Sequence, residues 1–173
     1  TLDVISGGRI GWNIVTGASQ NAVAELFGHD GMVPHDTRYA MAEEYVSLAR
    51  RYWEDAWSND ALVADRETGV YAQRSGIHRI VYDGDHYRSR GYYGAPPTPQ
   101  RTPLLFQAGT SPAGRAFAAR HAECVFVQAT TPSNTASAVA DLHRRANEAG
   151  RATPLVTMAG LTAIVAETSA EAR

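Results

Sequence analysis

The sequence predicts an α/β protein built on a parallel sheet, and three observations carry that prediction. Apolar runs of strand length alternate with helical patterns, those patterns open on residues suited to capping, and one long stretch shows an amphipathic 3.6-residue period. The clearest instance is Pro103 to Val127, PLLFQAGTSPAGRAFAARHAECVFV. Leu104, Leu105 and Phe106 form a short apolar run fit for a buried strand, and Gln107-Ala108-Gly109-Thr110 leaves it through small residues. Ser111 suits the N-cap, Pro112 is pre-organised for the first helical position, and Ala113 to Glu123 is Ala-rich, weakened only by Gly114. The N–H groups, the positive end of the helix dipole and the Ser111 hydroxyl would meet beside Gly109, where no Cβ obstructs a ligand. An anion such as a phosphate fits there, and so does the bland reading of an ordinary capped βα turn.

Taken in order, the chain opens on Thr-Leu-Asp-Val-Ile-Ser, which reads as the end of an element already under way. Residues 10 to 16, IGWNIVT, are β-rich and bounded by Gly7-Gly8 and Gly17, and they read as a buried parallel-type strand. Asn13 is the polar exception: its amide needs partners, which neighbouring backbone or a polar ligand edge would supply. A short helix follows with Ala22, Val23, Leu26 and Phe27 on one side and Gly28 as its stop. The longest helix is expected from Asp36, as N-cap, to about Trp57, with Met41, Ala42, Tyr45, Leu48, Ala49, Tyr52 and Trp53 on one face. His35 then lies just outside that helix and Tyr39 in its first turn. Both suit ligand contact, and both also suit a surface His and a packed Tyr.

Residues 58 to 102 differ in texture. Asn59-Asp60, Asp83-Gly84-Asp85 and Pro96-Pro97-Thr98-Pro99 punctuate short alternating runs, so an excursion with a small hairpin and no long helix is expected. His78 and His86 have no carboxylate or Cys at a metal-ligand spacing. After the strand Cys124 to Gln128 comes a polar turn with Ser133 as N-cap. The next helix carries Ala136, Val139, Ala140, His143 and Ala146 on one side and stops at Gly150, before a last apolar strand or strands within Pro154 to Val165. Four strands so connected imply right-handed crossovers, and they are too few to close an eight-stranded barrel of about 250 residues.

Composition narrows the function classes. The 173 residues hold 44% hydrophobic side chains, enough for one globular core, which makes one domain or part of one. With 16 basic and 18 acidic residues the net charge is −2 and no basic stripe exists, so nucleic acid is not the expected partner. No apolar run approaches the roughly 20 residues a membrane span needs. The single cysteine, Cys124, sits in an apolar run and reads as a buried inert thiol, which suits a reducing cytoplasm. The final Glu171-Ala172-Arg173 begins a new helical pattern, and with the opening residues it suggests an excerpt of a longer protein.

Three ordered motifs, SGGRIGWNIVTG, HDTRYAMAEEYVSLARRYWEDAW and PLLFQAGTSPAGRAFAARHAECVF, resemble the nitrilotriacetate monooxygenase group of the bacterial-luciferase-like flavin monooxygenases. Its relatives include dibenzothiophene-sulfone, EDTA and long-chain alkane monooxygenases. The resemblance implies that residues 1–173 are roughly the middle half of a (β/α)8 TIM barrel, oligomeric in the family, with an excursion at about 58–102. It implies reduced FMN, delivered by a separate NAD(P)H-dependent flavin reductase. With O2 the flavin would form a C4a-hydroperoxide that inserts one oxygen atom into a small organic substrate and releases the other as water. The cofactor carries that chemistry; the protein holds the flavin, excludes water and orients the substrate.

By the same resemblance Asn13 and Thr16 meet the flavin ring, His35 and Tyr39 of the HDxRY motif contact FMN, and Ala108, Gly109, Thr110 and Ser111 take the phosphate. It tips Ser111 and Tyr39 toward a functional reading, while Asn13 and His35 stay open. No acid or base is singled out, and no metal is implied. Two departures stand out: Tyr82 replaces the family's usual His, and Thr110 is the residue ahead of Ser111. The family's upstream acidic flavin contact and its Thr/Ser-rich strand fall outside these residues. The alternatives are a non-catalytic flavin-binding half-barrel and an F420-dependent oxidoreductase of the same superfamily.

Overall fold

The computed structural model describes residues 1–17, 21–128, 131–160, 164–168 and 170–172. It divides into two compact units, Thr1–Leu105 and Phe106–Arg173. The first contains α1 (Leu2–Ser6), β1 (Gly11–Ile14), α2 (Asn21–Leu26), α3 (His35–Arg50) continued by a π-helical turn at Arg51–Asp55, and the hairpin β2 (Arg79–Asp83) and β3 (Arg88–Tyr92). Strand β4 (Leu104–Gln107) spans the division. The second unit continues with α4 (Pro112–His121), β5 (Cys124–Val127), α5 (Pro132–Glu148) and β6 (Val156–Ala159).

In the second unit the strands are parallel, with Phe106 opposite Cys124, Gln107 opposite Val125, and Cys124 to Val127 opposite Val156 to Ala159. Parallel neighbours need a crossover, and α4 and α5 provide it. Their apolar sides cover one face of the sheet and form a core of Ala118, Ala119, Ala122, Val125, Val127, Leu142, Ala146 and Leu155. Arg151 closes the far end of α4 by donating from Nη1 to the carbonyls of Ala119 and Ala122, at 3.3 and 2.6 Å. Those are helix-end acceptors that would otherwise lack partners.

The long helix and the excursion define the first unit. Ala56, Trp57, Ala61 and Ile80 are buried, with Leu48, Tyr52, Ile77 and Tyr93 packed against them. Arg101 donates to the carbonyls of Trp53, Glu54 and Trp57 at 3.2, 3.0 and 3.0 Å, closing the end of the helix as Arg151 closes α4. At the hairpin tip the Glu44 carboxylate accepts the N–H groups of Asp85, His86 and Tyr87 within 2.9 to 3.2 Å. Gly84 makes room for it: a Cβ there would lie 2.2 Å from Glu44 Oε2.

The expected order of elements holds, and so do the hairpin, the Ser111 cap and the glycine stops, with Gly28 and Gly150 at φ 77 and 71. Several details do not. Strand β1 ends at Ile14 and Asn13 is exposed, so that amide is not in a strand core. Leu26 and Phe27 are 83% and 77% exposed and supply no core face for α2. Pro34 caps α3, which makes His35 its first residue and puts Asp36 inside the first turn. Proline's preset φ suits the entry to the helix and its carbonyl accepts the Arg38 N–H at 3.0 Å, but no side chain caps the first turn.

Thr131, not Ser133, caps α5, because Pro132 takes the first helical position and leaves the preceding hydroxyl to accept the Asn134 N–H at 3.2 Å. The buried side of α5 is Leu142 and Ala146 with Ala138 and Val139 beside them; Ala136, Ala140 and His143 are exposed. The last strand stops at Ala159; residues 161–163 of the expected run lie outside the described residues, and Ile164 and Val165 are not in a strand.

Two predictions follow from this packing. Leu142→Ala removes a side chain only 2% exposed and should cost about 2–5 kcal/mol in urea unfolding, whereas His143→Ala should be near neutral. Desolvation opposes ionisation of Glu44, but the N–H groups of His86, Tyr87 and Asp85 outweigh it and hold the carboxyl below its ordinary 4.5. The clasp is therefore fully present above that value and is lost as pH falls through the lowered one. Glu44→Gln should loosen the hairpin at neutral pH and flatten the pH dependence of amide exchange at Asp85 to Tyr87 below the ordinary carboxyl value of 4.5.

Candidate functional site

The second unit carries the turn between β4 and α4. Gln107 ends the strand 2% exposed, and its side-chain oxygen accepts the Gly109 N–H, which folds the small-residue stretch Ala108-Gly109-Thr110 back toward the strand end. Ser111 is extended, and its Oγ accepts the Gly114 N–H at 3.0 Å. That uses a lone pair and leaves the hydroxyl hydrogen available as a donor. Pro112 follows, and the first turn of α4 contains no acidic residue. The positive end of the helix dipole therefore has no carboxylate of its own turn to neutralise it. Arg115, one residue on, is already paired with Asp141 at 3.0 Å. Hydrogen bonding by Arg145 holds Asp141 below its usual range against desolvation, with Arg144 adding to it. A cavity of about 290 Å³ opens here, lined by Gly109, Thr110, Arg115, Phe126 and Asn134 among others.

The first unit carries the end of β1 and the start of α3. Thr16 lies two residues past the strand, half-buried, and Asn13 is exposed on it. His35 and Tyr39, four residues apart, lie on one side of the helix start with ring centroids 5.0 Å apart and planes tilted by 57°, and His35 Nδ1 is 2.7 Å from Asp36 Oδ1. Arg38 Nη1 donates to the carbonyls of Thr16 and Gly17, at 3.3 and 2.8 Å. A cavity of about 330 Å³ is lined by Trp12, Ile14, Thr16, Arg38, Tyr45 and Tyr87, among others.

Among the expected site residues the structure thus groups His35 with Tyr39 and Ala108 with Gly109, Thr110 and Ser111. It ties Thr16 to the same helix through Arg38. Sequence reasoning missed Arg38 and Gln107, although one stands inside the HDTRY motif and the other is a polar residue closing an apolar strand. Cys124 is buried, and burial with the nearby Glu123 carboxylate pushes its thiol up, in keeping with an inert group. Among the described residues no group of His, Cys, Asp and Glu is arranged for a metal, and no helix is long and apolar enough to cross a membrane.

The family model for luciferase-like monooxygenases matches residues 1–173. The chain belongs to that family. It is 39% identical over 173 residues to the long-chain alkane monooxygenase of Geobacillus thermodenitrificans (strain NG80-2), covering 99% of this chain and 39% of that protein. Nitrilotriacetate monooxygenase component A of Aminobacter aminovorans is 38% identical over 174 residues, which are 100% of this chain and 38% of the relative. Among solved structures, riboflavin lyase with modified FMN and substrate riboflavin matches at a TM-score of 0.90 and 41% identity, over 98% of this chain and 38% of the other. The fold is therefore part of a luciferase-like TIM barrel, and the chain spans well under half the length of these relatives.

Capping can be tested apart from any ligand. Ser111→Ala should lose about 1 kcal/mol of stability, while Ser111→Asp, which keeps an acceptor for the Gly114 N–H, should lose little in thermal or urea unfolding.

Proposed function

We propose that this luciferase-like chain is the flavin-holding part of a two-component, FMNH2-dependent monooxygenase acting on a small organic substrate. A separate NAD(P)H-dependent flavin reductase supplies the reduced flavin, and the parent protein works in the cytoplasm as a homo-oligomer whose barrel domain includes residues 1–173. The observation that carries this reading is the β4–α4 turn: a clasped, glycine-containing loop running into a capped helix start with no acidic residue in its first turn. That donor set fits a phosphate dianion.

When bound, reduced FMN would supply the electrons that split O2 into an oxygen atom for the substrate and one for water. The chain's residues bind and orient it. Ser111 donates its hydroxyl to the phosphate, with the Thr110 N–H beside it; Gly109, its own N–H held by Gln107, and Ala108 let the ligand approach without a bulky side chain. His35 and Tyr39, their rings tilted against each other, contact the flavin. Asn13 and Thr16 meet the ring with one amide and one hydroxyl. None of these is assigned a proton-transfer role.

A second reading is flavin binding without turnover. In this chain Phe126, Val156 and Met158 are 37%, 50% and 41% exposed on the sheet face away from α4 and α5, so these residues alone enclose no site. Oxygen transfer requires a site from which water is kept out.

The test is an anaerobic titration of the folded 173-residue chain with reduced FMN. Saturable micromolar binding is expected. Ser111→Asp keeps the cap but sets a carboxylate against the phosphate, and should weaken binding by more than about tenfold. Tyr39→Phe should weaken flavin binding about tenfold, the loss of one hydrogen bond to the flavin, with far-UV dichroism unchanged. Failure of the folded chain to bind, or unchanged affinity in both variants, overturns the phosphate assignment.

A further inference from the structure

Thr16 and Gly17 follow the end of β1, and their carbonyls need donor partners that the strand no longer provides. Both are met by one group, Arg38 Nη1, at 3.3 and 2.8 Å. The fit is close: Gly17 has φ 89, and a Cβ there would lie 3.4 Å from Arg38 Nη1 and 3.4 Å from Met32 Cε. Arg38 is in the first turns of α3, three residues after His35 and directly before Tyr39. A charged donor shared by two carbonyls is a stronger tie than a neutral pair, and its planar fork holds a direction as well as a distance.

We infer that Arg38 is a positioning residue: its guanidinium locks the end of β1 to the first turns of α3, fixing Asn13 and Thr16 in register with His35 and Tyr39. This rests on the flavin reading above, and it explains why an arginine stands between two of the proposed contacts without being one of them. The tie lies wholly within the first unit. Losing it leaves the hairpin, its core and the Arg101 closure of the helix untouched, so the consequence falls on the relative placement of the two segments.

The experiment uses the 173-residue chain with Arg38→Met and Arg38→Lys, reading reduced-FMN affinity, thermal midpoint and amide exchange by segment. Arg38→Met should weaken FMN binding by about tenfold and speed exchange locally at residues 14–17 and 35–39, with exchange at Arg79 to Tyr92 unchanged. Arg38→Lys, which keeps a charged donor, should recover a substantial part of the affinity. FMN affinity within about twofold of the parent in Arg38→Met overturns the positioning role even if local exchange rises. Exchange accelerated throughout the unit also overturns it, making Arg38 a residue of the fold. Absence of binding by the unsubstituted chain defeats the flavin reading and this inference with it; local exchange then still shows whether the tie exists.

Discussion

A strand cannot be joined to a parallel neighbour by a tight turn, and most of this structure follows from that constraint. β4, β5 and β6 run the same way, so each connection must climb back through a helix, and each helix must start near the carboxyl end of the strand before it. Both starts are solved by one local device, a hydroxyl residue followed by proline: Ser111-Pro112 and Thr131-Pro132. The hydroxyl oxygen meets a donor of the first turn, and the proline occupies a position whose N–H would have lacked a partner in any case. Donor-rich helix starts at strand ends are thus a by-product of topology. What singles out the first is the loop before it, where Gln107 clasps Gly109.

Local chemistry made much of the fold readable. The Ser111 cap, the stops at Gly28 and Gly150 and the hairpin at the Asp83-Gly84-Asp85 cluster depend on residues within a few positions of one another. What could not be read depends on partners far along the chain or on the phase of a face. Leu142 rather than His143 is buried: a run of small residues on α5 does not fix where its apolar stripe lies, and packing against Val125 and Val127 decides it. Asn13 alternates with Trp12 and Ile14, and periodicity in a four-residue strand cannot tell which side is covered. Arg38 reaches back some twenty residues to its carbonyls, and Gln107 turns its polar end onto the chain just ahead; neither leaves a trace in spacing.

The excursion shows how a segment with few apolar residues is still held in one arrangement. Its core is small, four buried side chains with a rim around them, and polar atoms do much of the anchoring. Arg101 and Glu44 act in opposite senses, one a cation on helix-end carbonyls, the other an anion on hairpin-tip N–H groups. Each satisfies several backbone groups that lie where regular structure stops. The same logic recurs with Arg151 on α4 and Arg38 on β1. Arg38, Arg101 and Arg151 thus act as terminators of secondary structure, while Arg88, Arg115, Arg144 and Arg145 pair with carboxylates.

The uncovered side of the β4–β6 sheet bears on function. Phe106 and Phe126 stack there with centroids 5.7 Å apart, and Val156 and Met158 continue the apolar surface. In a (β/α)8 barrel these are inward-pointing positions, packed in layers by side chains from alternate strands. They are apolar because a barrel interior is, and exposed because this chain spans only 39% of a relative such as the alkane monooxygenase. The β4–α4 turn, by contrast, is complete within one βα unit: its clasp, cap and helix start come from residues 107 to 114. On the proposed reading, holding a phosphate and keeping a reactive flavin dry are therefore separable demands, since the first would fall to local backbone chemistry and the second to a closed interior.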